Sequence, residues 1–363
     1  MMKILAAFDS FKESMTAYAA GEAVQRAYNN VHICPLADGG EGTMEVMNRY
    51  LHGDIHEIEV AGPLFKTVHA KLAIMDDLAI IESAQACGLD YLTEEEKNGT
   101  EATSYGVGEM MKYAYDHGVK RFLLTLGGSA CNDGGIGLLS GMGYGFFDQF
   151  DQRIPMNARG LETLDHIKKT RLDLSNIEVE GACDVTNPLC GKEGATYVFG
   201  PQKKVKDLEK TDQAMKHYAK IMSELVGKDD SCVSGAGAAG GMGYAIVTGL
   251  NGKLVTGFDA VSRTVHLEEA IQEADIIFTG EGKMDHQTLY GKTPIGVLRL
   301  AQKYNKPVVA FCGKCEDKET LLEAGFEDVR CINHTDEPLS VLLEKGPQYL
   351  EEEVRRYLEE KNV

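Results

Sequence analysis

Four short stretches of the chain bring a carboxylate to a tight turn at what reads as the end of a β-strand. They are Asp9-Ser10, Asp38-Gly39-Gly40-Glu41-Gly42-Thr43, Asp184-Val185-Thr186-Asn187-Pro188 and Gly280-Glu281-Gly282-Lys283-Met284-Asp285. In open parallel sheets ligands sit beyond the carboxyl ends of the strands, so these acids are placed to converge on one cleft. Converging like charges need a counter-charge. A hard divalent cation such as Mg2+, held by one or two carboxylates together with substrate phosphate oxygens, supplies it. The competing reading of each acid alone is a cap for the following helix; four such turns on one topological edge weigh against it.

A second constellation is built from glycine. Leu123-Leu124-Thr125-Leu126 runs into Gly127-Gly128-Ser129-Ala130-Cys131-Asn132-Asp133-Gly134-Gly135, and Ile136 to Ser140 then reads as helix. Strand, glycine loop and helix N-terminus together offer backbone N–H groups and a positive dipole end to an anion, as in phosphate cradles. Ser129, Asn132 and Asp133 add polar groups suited to a nucleotide or metal; the alternative is a turn that serves only close helix-to-sheet packing. Lys12, in the turn Ser10-Phe11-Lys12-Glu13-Ser14, lies on the same edge as the acids. There it can hold a substrate carboxylate or neutralise phosphoryl oxygens, the alternative being a solvated surface lysine.

Several patterns that resemble other chemistries fall short. Gly235-Ala236-Gly237-Ala238-Ala239-Gly240 matches G-x-G-x-x-G, yet Asp229 to Ser234 before it is not a buried strand, so the dinucleotide context is missing. Gly291-Lys292-Thr293 resembles the end of a P-loop, but His286 stands where the opening glycine belongs. Cys312-Gly313-Lys314-Cys315 has no second pair at finger spacing and reads as ordinary strand-end thiols. His286 beside Asp285 reads as polar lining. No nucleophile elbow or protein-kinase motif set occurs.

The elements that must position these residues alternate between short β-rich runs and amphipathic helices, which is the α/β pattern of parallel strands and crossover helices. Strands are expected at Lys3–Asp9, Val31–Asp38, Asp275–Thr279, Pro307–Cys312 and Val329–Asn333, and helices at Thr16–Tyr28 and Pro294–Tyr304. Ile55–Val60, Thr67–Met75 and Leu78–Glu82, separated by Gly-Pro and Asp-Asp turns, read as an antiparallel meander. The expected organisation is a discontinuous Rossmann-like domain, residues 1–65 and 285–363, with a larger inserted α/β domain of mixed sheet, residues 66–284. Forty of the 363 residues are glycine, well above the ~7% norm, which implies many close backbone approaches.

Composition narrows the partners. Thirty-seven basic residues against 56 acidic give a net charge of −19, which argues against a general nucleic-acid or anionic-membrane surface. The apolar run Ile4–Phe8 is interrupted by Asp9 and Lys12 too early for a signal peptide, and no stretch approaches the ~18 apolar residues of a membrane helix. Nine scattered cysteines suit reduced thiols. A cytoplasmic enzyme is expected; a homodimer is left open.

Taken together, Asp9-Ser10-Phe11-Lys12, Ala37-Asp38-Gly39-Gly40-Glu41-Gly42-Thr43, Gly127-Gly128-Ser129-Ala130, Asn132-Asp133-Gly134-Gly135, Cys183 to Leu189, and Gly280-Glu281-Gly282 through Asp285, Gln287-Thr288 and Gly291-Lys292 resemble the bacterial glycerate kinase family whose chains open with an Asp-Ser-Phe-Lys motif. They span nearly the whole chain in family order. Glu13 stands where glycine is usual after the lysine, and Cys131 where threonine is common.

The resemblance implies ATP-dependent phosphorylation of D-glycerate, with 2-phosphoglycerate favoured, on two unlike α/β domains with the active site between them. On that basis Mg2+ bridges the ATP phosphates through some of Asp184, Glu281 and Asp285. Gly127, Gly128, Ser129, Asn132 and Asp133 serve the nucleotide phosphates. Lys12, with Ser10, Gly39 and Gly40, holds glycerate, and Asp184 or Asp38 orients the hydroxyl and accepts its proton. Two rivals are an NAD-dependent oxidoreductase using Gly235–Gly240 and a non-catalytic module for small anions. The many acids favour the kinase, because an anion receptor gains nothing from extra negative charge.

Overall fold

The computed structural model describes residues 1–40, 42–285, 288–289, 292–334 and 337–362. In chain order its strands are β1 (Ile4–Phe8), β2 (Val31–Ile33), β3 (Asp54–Ala61), β4 (Thr67–Met75), β5 (Leu78–Glu82), β6 (Arg121–Thr125), β7 (Gly145–Phe147), β8 (His166–Lys168), β9 (Glu178–Ala182), β10 (Lys253–Val255), β11 (Ile276–Met284), β12 (Val308–Cys315) and β13 (Asp328–Cys331). The chain divides into two compact units. The first comprises residues 1–38, 45–50 and 258–363, and the second residues 39–44 and 51–257.

The first unit is built on a five-stranded sheet of order β13-β12-β11-β1-β2, parallel throughout. Every residue of β1 is buried, as a strand covered on both faces requires. Phe8, Phe278, Phe311 and Tyr357 form its aromatic core; Phe278 meets Tyr357 edge-on at 5.5 Å. The helix Ala17–Ala27 starts at Thr16, whose hydroxyl accepts from the Ala19 amide at 3.2 Å.

Two of its strands differ from their sequence-derived extents. β2 ends at Ile33 and not at Asp38; as an edge strand it can be followed at once by Pro35, whose missing N–H faces away from β1. The chain nonetheless stays extended beside β1 through Cys34 N to Ala6 O, 2.9 Å, and Leu36 N to Phe8 O, 2.8 Å. β11 runs on to Met284 where a stop at Thr279 was expected. Gly280 makes this possible, since a Cβ there would lie 1.8 Å from the Phe311 carbonyl oxygen of β12.

The second unit holds a mixed six-stranded sheet of order β10-β9-β6-β5-β4-β3, with β10, β9, β6 and β5 parallel and β4 and β3 antiparallel. A small β7–β8 hairpin lies apart. Because β3 pairs with β4 and β11 with β1 along their lengths, the compact units divide at other residues than the expected 65 and 285. The register aligns Glu82, Thr125, Ala182 and Val255. The loops that leave this one edge therefore carry Ser83, Gly127–Ser129, Asp184 and Gly257.

Candidate active site

At the carboxyl edge of the first unit's sheet, Asp9 follows β1, and its amide donates to the Gly280 carbonyl at 3.0 Å. The β1–β11 register places it level with Glu281. One oxygen of the Asp9 carboxylate accepts the Ser10 amide at 2.6 Å, and the other accepts the Thr293 hydroxyl at 2.6 Å. Thr293 is wholly buried in the first turn of the helix Thr293–Gln302. Burial pushes the Asp9 carboxyl up to about 7; the Thr293 and Ser10 hydrogen bonds oppose it, and the charges of Asp38 and Glu281 reinforce it. Two like charges close by disfavour a third.

Glu281 is raised as well, first by burial and further by Asp285, against the pull of Lys292 and Thr288. Its oxygens accept from Thr288 Oγ1 at 2.9 Å and Lys292 Nζ at 3.2 Å. Asp285 pairs with Lys283 at 3.0 Å, and its amide donates to Thr288 Oγ1 at 3.1 Å. Asp38 is exposed at the end of the extended segment after β2. Lys12 sits exposed at the tip of a turn closed by reciprocal hydrogen bonds between Phe11 and Met15, 2.9 and 3.0 Å, next to exposed Ser10. A Cβ on Gly282 would come 3.4 Å from the main-chain nitrogen of Lys12, so the turn lies against β11.

In the second unit, Asp184 is exposed beyond β9, and its carboxylate accepts the Gly257 amide at 3.0 Å. Gly39, at φ +86°, lies against the same Gly257; a Cβ at residue 39 would stand 2.5 Å from its Cα. Gly127 faces Gly40, with 3.6 Å between an added Cβ and the Gly40 Cα. Gly39, Gly40, Gly127 and Asp184 are thus gathered on one edge. Gly127 and Gly128 are exposed, whereas Ser129 is buried. Ser129 accepts from Lys203 Nζ at 3.0 Å, and the same buried ammonium donates to the Cys131 carbonyl at 2.8 Å. Desolvation holds Lys203 below the usual lysine range.

The rest of the expected phosphate cradle is core. Asn132 and Asp133 are both 0% exposed. Asn132 donates to Thr196 Oγ1 at 2.9 Å. The Asp133 carboxylate takes the Ser104 amide at 2.8 Å, the Ser104 hydroxyl at 2.9 Å and the Gly135 and Gly137 amides at 3.0 and 3.3 Å. The amides at the start of the helix Ile136–Gly141 are thus met by the side chain of Asp133, whose carboxyl is raised by burial against the pull of these hydrogen bonds.

Among the described residues no three His, Cys, Asp or Glu side chains gather at metal-binding spacing. Asp184 belongs to the second unit, and Glu281 and Asp285 to the first. Glu41, His286, Gln287 and Gly291 lie outside the described residues.

The G-x-G-x-x-G segment is also packing. A Cβ on Gly240 would sit 2.1 Å from the Cys131 carbonyl oxygen, one on Gly237 2.3 Å from that of Pro188, and no strand precedes the segment. The sequence assigns no role to Thr293, Lys203 or Glu82, and names Lys292 only within the Gly291-Lys292 motif. Gly291-Lys292-Thr293 fails as a P-loop end, yet Lys292-Thr293-Pro294 is itself a helix-start signal.

These two edges, acids at one and exposed glycines with an acid at the other, are the equipment of a phosphate-handling enzyme. Residues 4–360 match the model of the glycerate kinase family. The chain belongs to the glycerate kinase family. It is 40% identical over 362 residues to a glycerate kinase of Haemophilus influenzae, covering 96% of each chain. It is 38% identical over 328 residues to glycerate 2-kinase of Escherichia coli, covering 87% of this chain and 86% of that one. A crystal structure from Salmonella typhimurium LT2, provisionally named glycerate kinase 2, superposes with a TM-score of 0.91 at 37% identity over 99% of this chain and 98% of that one. As a glycerate kinase family member the chain is a kinase of mixed α/β fold. No described helix is long and apolar enough to cross a membrane.

Proposed function

We propose that this member of the glycerate kinase family transfers the terminal phosphoryl group of ATP to D-glycerate, that Mg2+ is required, and that 2-phosphoglycerate is the product. The observation that carries the reading is the acidic edge of the five-stranded sheet. Asp9, level with Glu281 and raised by both Glu281 and Asp38, belongs to a group of acids that gains from an added cation. Hard carboxylate oxygens suit Mg2+, and because Mg2+ keeps water and phosphate oxygens in most of its positions, one or two protein acids suffice. Glu281 and Asp285 would hold it with Asp9 alongside; Asp184 completes the sequence-derived set. When bound, Mg2+ supplies neutralising charge for the phosphate oxygens.

This chain's own residues do the rest. Exposed Gly127 and Gly128 offer main-chain N–H groups to phosphate oxygens. Ser10, Lys12, Gly39 and Gly40 hold glycerate, with the Lys12 ammonium set against its carboxylate. Asp184, steered by the Gly257 amide, accepts the proton of the attacking hydroxyl, and Asp38 orients that hydroxyl. Positioning and charge stabilisation supply most of the acceleration in phosphoryl transfer. The name of the Escherichia coli relative, glycerate 2-kinase, supports attack by the C2 hydroxyl.

Purified protein given ATP, Mg2+ and D-glycerate is expected to release ADP in proportion to glycerate consumed. Phosphorus NMR is expected to show a phosphate ester on C2. Folded protein that forms no ADP would remove the activity; an ester on C3 would remove only the regiochemistry.

A further inference from the structure

Glu82, the last residue of β5, is 2% exposed, and its carboxylate accepts the amide of Met44 at 2.8 Å. Met44 is the second residue of the helix Thr43–Leu51. An N-terminal amide is ordinarily satisfied by Ser, Thr, Asp or Asn just ahead of the helix. Here the local hydroxyl is turned elsewhere: Thr43 Oγ1 donates to the Gly40 carbonyl at 2.7 Å. The acceptor comes instead from a strand end 38 positions along the chain. Burying a carboxylate is expensive unless strong donors meet it, so Glu82 is a demanding way to start a surface helix.

What the arrangement fixes is the placement of Gly39, Gly40 and residues 42–44. One end is set by Gly39, whose positive φ and contact with Gly257 leave no room for a Cβ. The other end is set by Glu82 at Met44, and the Thr43 hydroxyl closes the turn between them onto Gly40. The neighbouring residue, Ser83, reaches the other glycine stretch, its hydroxyl lying 3.4 Å from the Gly127 carbonyl oxygen. A single strand end thus touches both glycine segments of the edge.

We propose that Glu82 is a positioning residue for glycerate, holding Gly39 and Gly40 in the shape that receives the substrate through the Met44 amide. The inference rests on the reading that Gly39 and Gly40 bind glycerate. Glu82→Ala removes the acceptor. It is expected to raise KM for D-glycerate by roughly 10-fold or more, as misplaced binding groups do, with KM for ATP nearly unchanged. Glu82→Gln retains an oxygen for the Met44 amide and is expected to restore most of the affinity, and it stands in if the alanine variant does not fold.

A merely structural role would lower the amount of active enzyme and leave both KM values alone; that result, or an equal rise in both, overturns the proposal. Hydrogen exchange gives a readout independent of turnover. Glu82→Ala should speed exchange across residues 39–44 more than across the core strands β6 and β9, and unchanged protection there also overturns it. If the wild-type enzyme ignores D-glycerate while exchange responds as expected, the substrate reading fails and the positioning role stands.

Discussion

Replacing Asp9 by asparagine is expected to lower turnover by ~10–100-fold and raise the Mg2+ concentration needed for half-maximal rate by a similar factor, the range found when groups supporting a metal site are removed. The same variant is expected to melt several degrees higher than wild type at about pH 8. The physical reason is shared. Asp9 is raised from 3.8 to about 7, chiefly by burial, while Thr293 and Ser10 hold its oxygens in place.

Between about pH 4 and pH 7 the unfolded chain gives up the Asp9 proton before the folded chain does, so this group's contribution to stability falls as pH rises and levels off above about 7. Asparagine has no charge to desolvate. The melting advantage of the variant is therefore greatest at about pH 8 and fades towards pH 4. Thermal melts across that range and ADP release at stepped Mg2+ check both halves. Unchanged Mg2+ demand together with unchanged melting at pH 8 would remove Asp9 from the metal edge.

The second large effect is expected at Asp184. Asp184→Asn keeps the shape and an oxygen for the Gly257 amide but loses the capacity to take a proton, so kcat should fall by ~10²–10⁴-fold. KM for glycerate should move little, since a group whose role is confined to the transition state alters turnover and not ground-state binding. Steady-state rates at saturating ATP measure it. A kcat near that of wild type would exclude Asp184 both as base and as an essential metal ligand.

Much of this edge was legible in the sequence because strand ends are marked by residue type. A buried run followed by Asp-Ser announces where a parallel strand stops and a ligand edge begins, as at Asp9, and Asp184 likewise follows β9; Gly-Glu-Gly points to Glu281 on the same reasoning, although β11 runs through it to Met284. Composition could not tell which polar residues of the glycine loop face outward. Asn132 and Asp133 are of the right type for a phosphate site, but Ser104, 29 positions away from Asp133, claims the acid from inside. The roles of Thr293 and Lys292 were not legible for the opposite reason. Thr293 meets Asp9 across 284 positions, once β11 has paired with β1, and Lys292 returns to Glu281 from eleven positions on; no local pattern encodes either contact. Glu82 was hidden because a glutamate closing an apolar strand looks like solvent-facing polarity until Met44 is seen to meet it.

Asp9 and Asp184 lie in different compact units, and the central claim is that both serve one phosphoryl transfer. The double variant Asp9→Asn/Asp184→Asn tests this most directly through kcat with ATP, saturating Mg2+ and D-glycerate. Groups that act as a unit are far from additive, so the double variant is expected to be scarcely slower than the worse of the two single variants. A double variant no slower than one single variant because the other single variant keeps the wild-type kcat would contradict the claim, since that acid would then take no part in the transfer.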